Sequence, residues 1–534
     1  MSQFKKAYEY VKCIYAEHIE IDFIQNTNVK QSAIVTFIMG FFMHLYMFTN
    51  KLPSYDDLEQ LFDPINLPSS GRWFLTVPAS FSSMLSIPLV NGTLGICYLS
   101  LSAGILVATL RIKSKVAAIL IGGIMVSYPA VASTFAYMNC ADAYFFAILL
   151  TCIAIYCADR MHLSGILVGI VCITLSLGIY QAYWPFGLAI IMGVISKAIL
   201  IGHEDTKDIL VKTLAHLTTF GVGMVLYLFI VKSSQVPLTV YQNIDTMGQI
   251  TIEKLPYQLY QAYGRFVAYF TSNNLFYYPM WFRIIYPIII VVSVILLFYK
   301  CKMLIKKREF LSAIILMGCI VFFPLGANFI YIMCEPTYVH VLMRYGMVGA
   351  FILIIAMWED VECTKILEDK RIYPLTKVMN KIMVVCSILV IGIHVLIINA
   401  SYLRLDISLS NAYADGIRLV TKIESVEDYN QADQILFVGT MSQNLEARYL
   451  TWFDDDMFTG MMSTNMITMG SNPEYLSRYI GFENVIQSGI TSSDQLEELG
   501  ITEMVDKMDT YPNDGSIVKY EEGVIIVKFS ELTE

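Results

Sequence analysis

The chain has 534 residues, of which 56% are hydrophobic and only 15% charged, with a mean hydropathy of +0.58. Soluble globular chains carry nearer a quarter charged residues, so this composition excludes an ordinary soluble enzyme and places most of the chain in lipid. The net charge of −9 divides unevenly: residues 401–534 hold 8 Lys/Arg against 23 Asp/Glu, a net of −15, which leaves +6 for the first 400. That division predicts a membrane unit over 32–400 followed by an acidic soluble domain over 401–534.

Residues 1–31 are mixed in charge and show no short apolar core followed by a small-residue cleavage site, so they are expected to form a cytoplasmic amphipathic segment before an uncleaved first span. Apolar runs predict eleven spans, at 32–50, 92–110, 116–134, 143–158, 163–180, 183–201, 211–231, 279–299, 310–331, 343–358 and 381–400. With the N-terminus inside, the inner connections collect 20 Lys/Arg. The outer ones, chiefly loops 51–91 and 232–278, hold only Lys51, Arg72, Lys232, Lys254 and Arg265. Basic residues flanking spans stay cytoplasmic, and an odd number of crossings then leaves the tail outside.

Residues 73–90 are apolar but broken by Pro78 and Pro88, and counting them as a crossing would put the RIKSK cluster outside; they read as an interfacial or re-entrant segment. The stretch EKLPYQLYQAYGRFVAYF in the second long loop reads as a surface helix with its aromatics at headgroup level. In the tail, 435–439 and 523–529 read as strands and 492–508 as a helix begun by a Ser/Asp cap, which predicts a small α/β domain. All 11 cysteines precede residue 401, so the tail cannot hold a disulfide.

The polar residues that could carry chemistry gather in the outer connections. Loop one, NKLPSYDDLEQLFDPINLPSSGRW, holds Asp56 and Asp57, where a carboxylate beside lipid is costly without a task. Either is placed to act as general base toward a hydroxyl; Ser54 to Asp57 also fits a capping box, which makes Asp56 the better candidate. Arg72 offers a fork for a phosphate. The loop AYMNCADAY contributes Asn139 for sugar hydroxyls and Asp142 for orienting an acceptor or an arginine, with helix capping as Asp142's competing role. The turn GIYQAYW is so short that Tyr180, Gln181 and Trp184 share one level, and such aromatic and amide groups suit a carbohydrate. An aromatic belt accounts for the rings equally well, but not for Gln181. Arg344, in CEPTYVHVLMRYG, needs a phosphate or a carboxylate partner; His340 beside it has no second His or Cys at ligand spacing, so no metal site is expected.

YDDL and GRW in loop one, the GIYQAYW turn, and a multispan unit followed by a small tail together resemble the bacterial serotype-conversion glucosyltransferases, over most of residues 30–440. The resemblance implies a mainly α polytopic fold of the GT-C type with a C-terminal α/β extracytoplasmic domain, located in the bacterial inner membrane. It also implies inverting transfer of a hexose, glucose first, from polyprenyl phosphate to a cell-surface glycan. A donor synthase and a flippase would supply the lipid-linked sugar. The base role falls to Asp56 with Asp57 as partner or substitute, and phosphate binding to Arg72 and Arg344. No phosphate-loop or dinucleotide motif is present, and no cofactor or nucleic acid is expected; a divalent-cation requirement stays open. Two other classes compete. A lipid-linked sugar flippase would place its polar residues at mid-span, and a glycan polymerase would carry an arginine-rich outer loop.

Overall fold

The structure is a computed structural model that describes residues 26–54, 57, 64–80, 82–202, 204–247, 252–272, 279–333, 339–359, 373–440, 472–521 and 523–532. It divides into two units, residues 1–50 with 62–399, and residues 51–61 with 400–534.

The first unit is a helical bundle. In chain order it contains α1 (Thr27–Met43), α2 (Leu45–Thr49), α3 (Pro88–Thr109), α4 (Lys115–Ser127), α5 (Pro129–Phe135), α6 (Ala141–Asp159), α7 (Leu163–Ile179), α8 (Trp184–Ile201), α9 (Thr206–Ser233), α10 (Leu255–Thr271), α11 (Met280–Lys306), α12 (Phe310–Ala327), α13 (Val348–Trp358) and the first part of α14 (Tyr373–Glu424). All eleven segments expected to span are helical, because a long apolar run in lipid must satisfy its backbone internally. Among the described residues eight helices are long and apolar enough to cross, and the α4–α5 pair, bent by 43°, makes a ninth if the two form one span. Many of these helices expose large apolar side chains, such as Phe42, Val225, Phe229, Ile314 and Leu396, each more than 60% exposed. A surface this apolar is at home only in a bilayer.

Residues 73–90 do not form a span; they turn through a short helix, Thr76–Ala79, before α3 begins at Pro88. The surface helix expected in the second long loop is α10, which buries Ala262, Phe266, Tyr269 and Phe270 and leaves Tyr257 and Tyr260 exposed.

The break between α4 and α5 follows from Pro129, which has no N–H to give Met125 O. Two side chains repair the freed carbonyls: Tyr345 Oη donates to Met125 O at 3.0 Å, and His44 Nε2 donates to Val126 O at 3.1 Å. Replacing Tyr345 by Phe strands a buried carbonyl, so Tyr345→Phe is expected to lower stability by about 1–3 kcal/mol. Thermal unfolding in detergent checks this; an unchanged midpoint would mean another donor reaches Met125.

Helices α8, α11 and α13 run in one direction. Ala189 meets Gly349 and Lys197 meets Glu359 along α8 and α13, while Tyr286 meets Phe351 and Ser293 meets Trp358 along α11 and α13. Their leading ends therefore lie together, carrying Gln181, Arg283 and Arg344. Their trailing ends lie about 23 Å away, the rise of some fifteen helical residues. That far end is sealed by ion pairs: Lys197 with Glu359, both buried, and Lys212 with Glu204 at 2.8 Å and Asp159 at 3.2 Å.

The second unit holds a four-stranded sheet of order β2-β1-β4-β3, from β1 (Gln434–Val438), β2 (Ile486–Ile490), β3 (Ile517–Glu521) and β4 (Val524–Lys528). The expected strands are β1 and β4, parallel neighbours at the centre. Alternation sends Ile435 and Phe437 to one face, against Ala412, Leu419 and Ile423 of α14, and Leu436 and Val438 to the other, against Leu496 and Val505. Cover on both faces explains why β1 and β4 read as unbroken apolar runs. The helix expected over 492–508 is two, α15 (Ser493–Leu499) and α16 (Thr502–Lys507), divided at Gly500 and begun by a Ser492–Gln495 capping box.

Candidate active site

Loop one and the GIYQAYW turn dock on each other at the leading end of the first unit. Phe74 N donates to Gly178 O at 2.8 Å, and Gln181 Nε2 donates to Ser70 O at 2.8 Å and to Tyr227 Oη at 2.7 Å. Tyr227 Oη in turn donates to Gly71 O at 3.2 Å. Gly71 takes φ of +72°, and a Cβ there would stand 2.6 Å from Tyr227 Oη and 2.8 Å from Gln181 Nε2. Only glycine lets the loop turn so closely against this clamp.

The clamp delivers Arg72 into a cage of tyrosines. Its Nη1 donates to Tyr144 Oη at 2.9 Å, and the guanidinium carbon lies 4.8 Å from the centre of the Tyr180 ring. Tyr144 and Tyr180 stack at 4.6 Å, and Tyr183 meets Tyr180 edge-on at 5.1 Å. Among the described residues no carboxylate pairs with Arg72, and its buried Nε has no hydrogen-bond partner. A cation held by ring faces and one hydroxyl keeps donors in reserve for an anion.

Asp142 and Asn139 are buried in the neighbouring loop. Asp142 Oδ1 accepts from Ser82 Oγ at 2.7 Å, and its place in the first turn of α6 also sets it beside the helix-start amides. Asn91 secures this corner by donating to Ser82 O and Met138 O. No cation pairs with Asp142 among the described residues. Trp184 packs edge-on against Phe329 at 4.9 Å.

Arg344 is buried and donates through Nε and Nη2 to Val339 O. Tyr345, its neighbour, stands edge-on to both Tyr183 and Tyr128, so an unbroken run of rings links the Arg72 cage to the start of α13. Burial, helped by the Arg344 charge, holds His340 down at about 4, which keeps its imidazole neutral at pH 7.

In the second unit Asp57 is buried and forms the capping box: its Oδ2 accepts from Ser54 N and its own N–H donates to Ser54 Oγ, both at 3.4 Å. Asp56 lies outside the described residues. Gln181, read from the sequence as a sugar ligand, uses its amide N–H groups on the loop and on Tyr227. The sequence reading did not single out Tyr144, which with Tyr180 holds the Arg72 guanidinium, or Tyr227, which holds the Gly71 carbonyl just before it.

The family model for glucosyl transferase GtrII matches residues 45–354, more than half of the chain, and takes in the Arg72 loop, Tyr144, the Gln181 turn, Tyr227 and Arg344. The chain belongs to this family. No curated protein and no solved structure matches it. The apolar bundle is thus the body of a membrane-embedded glucosyltransferase, and two of the motifs that carried the resemblance, GRW and GIYQAYW, meet around Arg72. Adding a methyl group to that junction should disturb it: Gly71→Ala is expected to cost about 1–3 kcal/mol of strain and to depress glucosyl transfer further than stability. Paired unfolding and transfer measurements check this; transfer that falls only as far as stability would make the clamp purely structural.

Proposed function

We propose that the protein moves glucose from a polyprenyl phosphate to a cell-surface glycan on the extracytoplasmic side of the bacterial inner membrane. The observation that carries this reading is the caged Arg72, a cation without a carboxylate partner among the described residues, at the leading end of the bundle. A membrane glucosyltransferase with no nucleotide motif needs an activated donor that lives in lipid, and a polyprenyl-phosphate sugar meets that need. All eleven helical segments cross in this reading, with the N-terminus cytoplasmic and the acidic tail external. The positive-inside balance supports it: Arg111, Lys197 and Lys212 gather at the far end from Arg72.

In the reaction the acceptor hydroxyl oxygen attacks C1 of glucose as the C1–O bond to phosphate breaks, with inversion. The proton passes to a carboxylate and the electron pair leaves on the phosphate oxygen. Arg72 binds the phosphate as its charge grows, with Arg344 as the second cation, and Asn139, Asp142, Tyr180 and Trp184 hold sugar or acceptor. Asp56 is the base, since Asp57 is engaged in capping. A donor synthase and a flippase complete the supply.

The test is transfer from polyprenyl-phosphate glucose to extracted surface glycan by purified protein in vesicles. Asp56→Asn should express normally and lose transfer by about 10²–10⁴-fold, the usual worth of a general base. Full activity in that variant removes Asp56 from the mechanism, and failure to release polyprenyl phosphate with any sugar tested would favour transport instead.

A further inference from the structure

Below the leading ends of α8, α11 and α13 lies an apolar cavity of about 90 Å³, lined among others by Phe266 of α10, Val294 of α11, Phe323 of α12, and Leu353 and Ile354 of α13. Its walls run from Ala350 to Met357 on α13 and from Ile290 to Leu297 on α11, about 10 Å along each helix. Ile288, Val291 and Ile295 on α11 and Val321 and Phe322 on α12 are all more than 45% exposed beside it. The cavity is therefore flanked by surface that faces lipid and reaches inward to two helices buried in the bundle core, α8 and α13. Those two helices start at the Gln181 turn and at the end of the short turn that holds Arg344.

One cation stands over this cavity. Arg283 lies seven residues, two helical turns, before Ile290 on α11 and fourteen before Leu297, so it heads the stripe of α11 that lines the cavity. Among the described residues it has no ion pair and no side-chain hydrogen bond, and its Nε is buried. A buried guanidinium nitrogen without a partner is costly, and an anion at that level would relieve it.

We infer that the groove between α11, α12 and α13 is the seat of the donor's isoprenoid chain, with Arg283 meeting the phosphate at its head. Charge decides the occupant. An apolar slot headed by a cation that is unpaired among the described residues fits an anionic headgroup on a hydrocarbon tail, and the slot leads along α8 and α13 toward the proposed glucosyl-transfer site. The identity of the amphiphile rests on the donor proposed above; the groove itself does not.

The experiment is equilibrium binding of radiolabelled long-chain polyprenyl phosphate, without sugar, to the full chain in micelles. Arg283→Leu and the slot-filling Leu353→Trp should each weaken binding by about tenfold or more, as loss of a charge-assisted contact or of the slot predicts. Val294→Phe, on the opposite wall, serves if Leu353→Trp fails to fold. Geranyl phosphate should bind at least as poorly to wild type, and inorganic phosphate should not compete. Unchanged affinity in Arg283→Leu and in a folded slot variant overturns the inference, as does equal displacement by phosphatidylglycerol, which would make the occupant an ordinary membrane lipid. Groove-dependent binding without glucose transfer from the prenyl-linked donor upholds the seat and overturns the donor assignment. Transfer with the same lipid KM in wild type and variants does the reverse.

Discussion

Arg72→Ala should leave a folded protein that transfers glucose about 10²–10³-fold more slowly, the range seen when one preorganised donor to a developing anion is removed. The folded state holds the guanidinium by one hydrogen bond to Tyr144 and by the Tyr180 face, with no ion pair among the described residues to lose, so its removal strands only a hydroxyl that can itself donate elsewhere. The stability cost should stay near the value of one hydrogen bond, about 1 kcal/mol. Arg72→Lys separates charge from shape: an ammonium keeps the charge but neither forks onto a phosphate nor lies flat on Tyr180, so most of the loss should persist. Release of polyprenyl phosphate and sugar transfer, read beside thermal unfolding, distinguish the cases. Near wild-type turnover in Arg72→Ala would take the phosphate role from the cage and leave it as packing.

Much of the bundle was legible because lipid permits a long apolar run few conformations. Residues 73–90 were separable from the spans because Pro78 and Pro88 interrupt them and the RIKSK cluster fixed the charge balance. Gln181 stood out as an amide within an apolar stretch, but its partner Tyr227 lies 46 residues on in an ordinary apolar helix and carries no local signal. Arg283 was absorbed into a predicted span, since one charge near a helix end does not change a hydropathy average. In the tail, β1 and β4 announced themselves by being buried on both faces. The outer strands β2 and β3, partly exposed with Gln487, Ser488 and Lys519 among them, carry no such unbroken apolar run and are not assigned from the sequence. The cage is built of contacts between segments far apart in sequence, and such contacts leave no spacing to read.

The largest stability effect is expected far from the cage. Lys197 lies in the middle of an apolar run, and Glu359 follows directly on α13, yet the two form a buried ion pair whose side chains are 3% and 0% exposed. Glu359 also accepts from Lys113 N at 3.0 Å and Ser114 N at 2.9 Å, at the amino end of α4, so one carboxylate ties α8, α13 and α4 together. Taking two charges out of water is expensive, and their attraction offsets this only while both are present. Lys197→Met should therefore cost about 3–5 kcal/mol by leaving Glu359 buried and uncompensated. Glu359→Gln should do similar harm by leaving Lys197 alone, though its amide oxygen can still accept from the α4 amides. The double variant Lys197→Met with Glu359→Gln removes both charges and should recover most of the loss, because what destabilises each single variant is the orphaned ion and not the missing attraction. Unfolding midpoints of the three variants in one detergent form a double-mutant cycle that reads the coupling directly. Additive losses would mean that water reaches the pair and that it contributes no more than a surface salt bridge.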